Sequence, residues 1–345
     1  MEATPIDGRP ALRRRGRARI AAGCAAAAAV LLAGCSVSGS PSASGSAPPG
    51  SSITVAAVPG VGDAPLYVAW QRGLFRQAGL SVRVRSYPTV AAEVAALHSG
   101  QASVAVGDYA DFFYEQEHDA SAPMVVVADG YDAVPNIMDV LVSPDSSITT
   151  PQGLLGKTIG TAAPQLMPDR FNGPPYSLDT VAASSVLEND GVQPTSVTWK
   201  PLPPGDLVGA LRSHTVDAIL VTEPQIFQAE SQLGARSILD ACSGETVNLP
   251  LEGYFAPASF AAKHRAALVA FRSVLMRAQA NAVQPAPLEA VFHHYAGMNR
   301  QTASLITVGA YPTSMKVASL QRVADLMSFY GALTHPLDVA HMIFR

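Results

Sequence analysis

From residue 53 onward, short apolar runs bounded by Gly, Pro and Ser alternate with longer segments of helical spacing. Ile53–Val58 is rich in β-branched residues and ends at Pro59-Gly60, which predicts a strand and a turn. Ala64–Gln77 carries Leu66, Ala69, Trp70 and Leu74 at helical spacing and stops at Gly79. Leu80–Ser86 reads as a strand. In Thr89–Ser99, Val90, Val94 and Leu97 share one helical face, and Gly100 closes it. Ala102–Val106 predicts a third strand, Asp108–Gln116 a helix and Pro123–Ala128 a fourth strand. Strands separated by helices of this length imply βαβ units and a parallel sheet.

The alternation then restarts. Asp139–Val142 and Ser143–Thr150 lead into a short helix at Pro151–Leu155 and a strand at Lys157–Thr161. A helix at Ser177–Asn189 follows, then a strand at Val197–Lys200, a helix at Gly205–Arg212 and a strand at Ala218–Val221. Past Gly253 the pattern is mostly helical: Ala258–Lys263, His264–Asn281, Leu288–Tyr295, Gln301–Val308 and Met315–Tyr330. The second unit is therefore read as inserted into the first. Residues 53–142 plus 250–345 form one lobe and 143–249 the other, with crossings near Leu141–Ser147 and Asp240–Tyr254.

The first 52 residues obey a different pattern. A basic stretch at 9–19 precedes the apolar run Ile20–Leu32, which is about 13 residues, short of the ~20 that span a bilayer. This is the layout of a secretory signal over residues 1–34. Leu32-Ala33-Gly34-Cys35 matches the lipobox of bacterial lipoproteins, which implies cleavage before Cys35 and lipidation of its thiol. Acyl chains contribute about 0.8 kcal/mol per buried CH₂, so several on one cysteine anchor durably. Residues 35–52, Ser-, Gly- and Pro-rich after the cysteine, read as a flexible tether. The expected location is extracytoplasmic, lipid-anchored to the cell membrane.

Charge and cysteine content sharpen this division. The net charge of −4 over 345 residues argues against a general nucleic-acid binder. It averages a leader with six arginines against two acids and a remainder with 17 basic and 25 acidic residues, a net of −8. With Cys24 in the leader and Cys35 lipidated, Cys242 has no intrachain disulfide partner. Flanked by Asp240 and Glu245, it reads as an inert thiol rather than a nucleophile.

Several segments, in order, resemble one family. Asp63-Ala64-Pro65-Leu66-Tyr67-Val68-Ala69 with Arg72-Gly73-Leu74-Phe75 is one; Ala96-Leu97-His98-Ser99-Gly100-Gln101-Ala102-Ser103-Val104 is another. Leu154-Leu155-Gly156-Lys157-Thr158-Ile159-Gly160, Ala210-Leu211-Arg212-Ser213 with Val216-Asp217-Ala218-Ile219, and Thr222-Glu223-Pro224 complete the set. They are similar to motifs of the SsuA/THI5-like (NMT1-type) substrate-binding proteins of ABC importers, across roughly residues 53–260. Ser103 stands where that family often has Asp, and Ser213-His214 where it has Ser-Gly. The resemblance implies an α/β fold of the periplasmic-binding-protein type (type II), two lobes joined by two crossover segments with a cleft between them. It implies a monomeric receptor that takes up a small solute, such as a sulfonate, taurine, nitrate or a pyrimidine precursor of thiamine. It also implies delivery to the transmembrane subunits of an ABC permease, with no cofactor.

Open parallel sheets bind ligands beyond the carboxyl ends of their strands, and small-molecule sites favour lobe interfaces. Candidate ligand residues are accordingly Asp63 and Tyr67 after the first strand, Asp108 and Tyr109 after the third, and Tyr131 and Asn136 after the fourth. Thr161, Tyr176, Ser177 and Glu223 are the second-lobe candidates. Asp63, Asp108 and Ser177 also suit helix caps, and Glu223 an interlobe contact. Asp63, Asp108, Asp132 and Glu223 make the expected cleft acidic, with Arg170 the only arginine near a predicted second-lobe loop. That balance favours a neutral or nitrogen-bearing solute such as a pyrimidine over a sulfonate or nitrate. No nucleophile elbow, metalloprotease, P-loop or Cys-x-x-Cys motif is present, and the adjacent His293-His294 have poor metal-ligand spacing, so no metal is expected. An enzyme acting on a pyrimidine-like molecule with the same fold, or the ligand-binding module of a sensor, are the rival readings.

Overall fold

A computed structural model describes residues 51–163, 177–282, 285–295 and 298–345. The predicted leader, Cys35 and the tether lie outside these residues, as do Arg170 and Tyr176. Among the described residues, no helix is long and apolar enough to cross a membrane.

Among the described residues, ten strands form two five-stranded sheets. In the first, β1 (Ser52–Ala57), β2 (Ser81–Ser86), β3 (Val104–Asp108), β4 (Met124–Asp132) and β10 (Pro250–Pro257) are arranged β2-β1-β3-β10-β4. In the second, β5 (Met138–Val142), β6 (Thr158–Ala162), β7 (Thr198–Leu202), β8 (Ala218–Thr222) and β9 (Arg236–Asp240) are arranged β7-β6-β8-β5-β9. The expectation of parallel sheets needs correction, because both are mixed. β10 runs antiparallel to β3 and β4, and β5 antiparallel to β8 and β9. In each sheet the reversed strand is the one that has just arrived from the other sheet.

The first crossing therefore lies at 133–137 and the second at 241–249. Met138–Val142 belongs to the second sheet rather than to the first unit, which had been expected to extend to residue 142. Periodicity alone could not assign it, because an apolar strand buried on both faces reads the same in either sheet. The sequence pattern also missed β9, β10 and the helix between β8 and β9.

The helices are α1 (Ala64–Gln71), α2 (Leu74–Gln77), α3 (Val90–His98), α4 (Tyr109–His118), α5 (Leu178–Asn189), α6 (Leu207–Arg212) and α7 (Gln225–Leu233). The C-terminal set is α8 (Ala258–Lys263), α9 (Arg265–Asn281), α10 (Pro285–Tyr295), α11 (Arg300–Leu305) and α12 (Val317–Phe329). The single helix expected over 64–77 is broken at Gly73, whose φ of 66° is left-handed and available to glycine without strain.

Alternation along the strands divides the core. In β10, Tyr254 packs with α9 and Phe75 on one face of the first sheet, while neighbouring Phe255 packs with Phe112, Phe113 and Tyr109 on the other. Phe112 and Phe255 stack with ring centroids 4.1 Å apart, and Phe75 and Phe271 stack at 5.2 Å. In the second sheet, α5 covers one face, and Leu207, Leu211, Ile219 and Ile226 pack the other.

Phe112 is fully buried in the stack that ties α4 to the reversed strand. The Phe112→Ala substitution is expected to destabilise the protein by about 3–5 kcal/mol, read by urea unfolding. A loss below ~1 kcal/mol would show that the stack does not hold the first sheet's core.

Candidate functional site

A cavity of about 410 Å³ opens at the carboxyl ends of the strands, lined by residues from both sheets. From the first come the turn Pro59–Gly62 after β1, Asp108 at the end of β3, Tyr131 on β4, and Leu251 and Glu252 on β10. From the second come Ile137 and Met138 at the start of β5, Leu178 and Asp179 at the start of α5, and Thr222–Gln225 after β8; Met298 adds to the wall. A larger cavity of about 680 Å³ lies at Ser51, Ser81 and Val82, the amino ends of β1 and β2. That is the opposite end from where open α/β sheets bind ligands, and among the described residues no carboxylate side chain lines it.

Strand register builds one wall. Glu252 stands opposite Asp108 across the β3/β10 pair and opposite Tyr131 across the β10/β4 pair. Residues opposite one another point to the same face, so the three form a row along the rim. The pairing shifts register on both sides of Glu252, and such bulges re-aim a side chain. Gly62 closes over this row: a Cβ there would overlap the Glu252 carboxylate.

The second wall comes from α5. Ser177 caps this helix in a capping box, its Oγ accepting from Thr180 N at 3.2 Å and the Thr180 hydroxyl accepting from Ser177 N at 3.0 Å. The cap fixes the first turn, from which Asp179 lines the cavity.

Glu223 sits where β8 ends. One carboxylate oxygen accepts from Phe227 N and the other from Thr307 N, each at 3.1 Å. Thr307 begins a strap that continues to the first sheet. Gly309 N donates to the Tyr131 hydroxyl at 2.6 Å, Ala310 bridges Asp132, and the Tyr311 hydroxyl donates to Val61 O at 2.7 Å.

Of the residues singled out from the sequence, Asp108, Tyr131 and Glu223 line the cavity. Asp108 also caps α4, accepting from Ala110 N at 2.6 Å. Asp63 is buried just behind the turn and accepts from Gly60 N at 3.2 Å. Tyr67 and Tyr109 are buried in the core of the first sheet, Tyr109 donating to Asp129 Oδ1 at 2.9 Å, and neither lines the cavity. Asn136 is exposed in the first crossing at a left-handed φ of 64°, Thr161 is buried within β6, and Ser177 serves as the cap. Tyr176 lies outside the described residues. Asp179 and Glu252 were not anticipated. Asp179 was legible as an acid in the first turn after a capping serine; Glu252 was not, because β10 itself was missed. Cys242 is buried after β9, and burial beside Asp240 pushes its thiol well above the usual range.

The cavity is electrostatically one-sided. Among the described residues, no lysine, arginine or histidine lines it. Burial pushes Asp179 up to about 6, and burial reinforced by Asp179 pushes Glu252 up to about 7. Burial with Asp111 and Asp179 nearby raises Asp108, and burial with Glu252 nearby raises Asp63. Behind them, Glu93 on α3 is wholly buried and neither of its oxygens meets a donor in bonding geometry. Burial, then repulsion from Asp63 and Glu252, lifts it to about 9.

A carboxyl held above its unfolded pKa keeps its proton longer in the folded state. The stability it contributes is complete below about 4.5 and is lost as pH rises toward 9. Stability is therefore expected to fall from pH 5 to pH 8. Glu93→Gln should flatten that decline by about 1.4 kcal/mol per pH unit, measured by urea unfolding across the range. Parallel curves for the two proteins would exclude a raised Glu93.

With this geometry in place, the comparisons are specific about fold and family. The periplasmic aliphatic sulphonate-binding protein SsuA of Escherichia coli superposes with a TM-score of 0.69 at 18% identity, covering 85% of this chain and 97% of that one. The alkanesulfonate-binding protein SsuA of Xanthomonas axonopodis pv. citri, bound to MOPS, gives 0.67 at 17% identity, covering 87% and 100%. The desulfurization enzyme DSZB gives 0.65 at 15% identity, covering 84% and 96%. No curated protein matches the chain by sequence. At these identities the structures establish a periplasmic-binding-protein fold, two mixed α/β sheets with flanking helices, and nothing finer. The NMT1/THI5-like family model matches residues 62–290, from the turn that closes over Glu252 to the helices beyond β10, and the chain belongs to the NMT1/THI5-like family.

Proposed function

We propose that this protein is the extracytoplasmic solute receptor of an ABC importer. The observation that carries this reading is the cavity of about 410 Å³ between the two sheets, at the carboxyl ends of their strands and built by both. In it the sheets are the cores of two lobes, joined at 133–137 and 241–249. The cleft is open to solute, closes by hinge motion about those crossings, and the closed form docks on the permease. The solute is small and organic. The acidic wall favours a nitrogen-bearing compound over a sulfonate or nitrate, although the superposed SsuA proteins bind sulfonates.

The receptor is tethered. The lipobox Leu32-Ala33-Gly34-Cys35 and the Ser/Gly/Pro-rich segment after it support a lipid anchor at Cys35 that keeps the receptor beside its permease. One finding favours a catalytic alternative, the shared fold with a desulfurization enzyme. Against it, Cys242 is buried and held protonated, and Ser177 is committed to its capping box.

Thermal shift of the full chain against sulfonates, taurine, nitrate and pyrimidines tests the receptor reading. A ligand at 100 times its Kd should stabilise by about 2.7 kcal/mol without being consumed. Turnover of the bound compound would support the enzyme instead, and no shift from any class would count against solute binding. Separately, Cys35→Ser should abolish incorporation of radiolabelled palmitate in a bacterial host and move the protein from the membrane fraction to the soluble one. Unchanged labelling would remove the anchor from this reading.

A further inference from the structure

We propose that the cleft is selective for an organic cation, an ammonium or amidinium group on a compact apolar body, held between Asp179 and the Asp108–Glu252 pair. The proposal rests on the solute-binding reading and gives it a charge class. Like charges directly opposite in an antiparallel pair repel, and Asp108 and Glu252 occupy that position at the rim. Asp179 approaches from the other sheet and lines the same cavity.

No described residue gives the Asp179 or Glu252 carboxylate a hydrogen bond or an ion pair. Among the described residues the wall offers no cation. Asp108, Asp179 and Glu252 are half-buried around one space, and beyond the Ala110 N bond to Asp108 the described wall supplies them no cationic partner, a role open to the ligand. Glu223 is not part of the set, since both its oxygens are already occupied by backbone amides.

The rest of the lining describes the ligand's body. Ile137, Met138, Leu178, Leu251 and Met298 present hydrocarbon and thioether surface. A metal ion fits this less well than an organic cation. Among the described residues, the His, Asp and Glu side chains that converge closely enough to share one ion are His98, Glu115 and Asp119, away from the cleft. An anion would face the carboxyl groups of Asp108, Asp179, Glu223 and Glu252 with no cationic side chain beside them on the described wall.

Proton linkage follows from the neighbours of Glu252. Asp108 on its own sheet, Asp179 on α5, Asp63 behind the turn and Glu93 on α3 face it as acids. Tyr131, Tyr254 and Tyr311 face it as phenols that burial keeps neutral. Without a cation, burial holds a proton on Asp179 up to about 6 and on Glu252 up to about 7, and an entering cation favours its release. Affinity should therefore rise with pH between 5.5 and 8, the opposite of what an anion would show.

Isothermal titration of the full chain tests this, with putrescine, tetramethylammonium and benzamidine as cations, methanesulfonate and nitrate as anions, and uracil as a neutral probe. The expected result is binding of at least one cation, with protons released in paired buffers of different ionisation enthalpy and affinity about tenfold or more lower at pH 5.5 than at pH 8. Asp179→Asn and Glu252→Gln should each weaken that cation at least tenfold. Asp179 lies on α5 against the second sheet and Glu252 on β10 of the first, so a folding defect in one leaves the other informative. Preference for an anion or for uracil, or cation binding indifferent to both substitutions and to pH, overturns the cation assignment while the receptor reading stands. Silence from every probe overturns both.

Discussion

The site depends on one reversed strand. After its excursion through the second sheet the chain returns as β10 and runs antiparallel between β3 and β4. A parallel insertion there would present the opposite end of the strand to the cleft. The reversal instead brings Glu252 level with Asp108 and Tyr131 at the rim. One residue further, Gly253 faces Tyr109 so closely that a Cβ would collide with the phenol ring. Phe255, two residues on, enters the stack with Phe112. Core packing and cleft chemistry are thus set by the same eight residues, and a slip of one position would turn both to the wrong face.

That arrangement has an electrostatic cost, offset among the described residues only by single backbone amides on Asp63 and Asp108. Asp63, Glu93, Asp108, Asp179 and Glu252 repel one another at short range, and burial disfavours their charged forms. A scaffold selected for stability alone would replace such groups with apolar ones. The placement of Asp108, Asp179 and Glu252 around a cavity, rather than inside a closed core, fits a functional site. The fold leaves the ligand open: the same two-sheet frame appears in proteins named for sulfonate binding and in a desulfurization enzyme. What distinguishes this member is which side chains stand at its strand ends.

The sequence made the frame legible and half of the wall. β1 to β4, β6 to β8 and the helices beyond Ala258 announced themselves by period and punctuation. β10 did not. Pro250-Leu251-Glu252-Gly253 offers a proline, an acid and a glycine in a row, all weak strand formers, and is held by pairing on both sides rather than by propensity. Glu252 was lost with it. Tyr67 and Tyr109 fall outside the cavity lining for another reason: a tyrosine near the start of a helix after a strand suits a ligand or a core equally, and here packing places both in the core. Asp108, Tyr131 and Glu223 were readable because the rule about strand carboxyl ends concerns topology, which the alternation of elements reveals.

The strap at 307–311 constrains how such a cleft can open. Three of its contacts are with the first sheet: Gly309 to Tyr131, Ala310 to Asp132 and Tyr311 to Val61. A single one, Thr307 to Glu223, reaches the second. If the sheets separate about the crossings at 133–137 and 241–249, the strap must travel with the first sheet, since that costs one hydrogen bond rather than four. The bond that breaks ends on Glu223, whose other oxygen stays with Phe227 of its own lobe. On that motion Glu223 would be the acid whose bond across the cavity is released, whereas among the described residues Asp108, Glu252 and Asp179 carry no such bond.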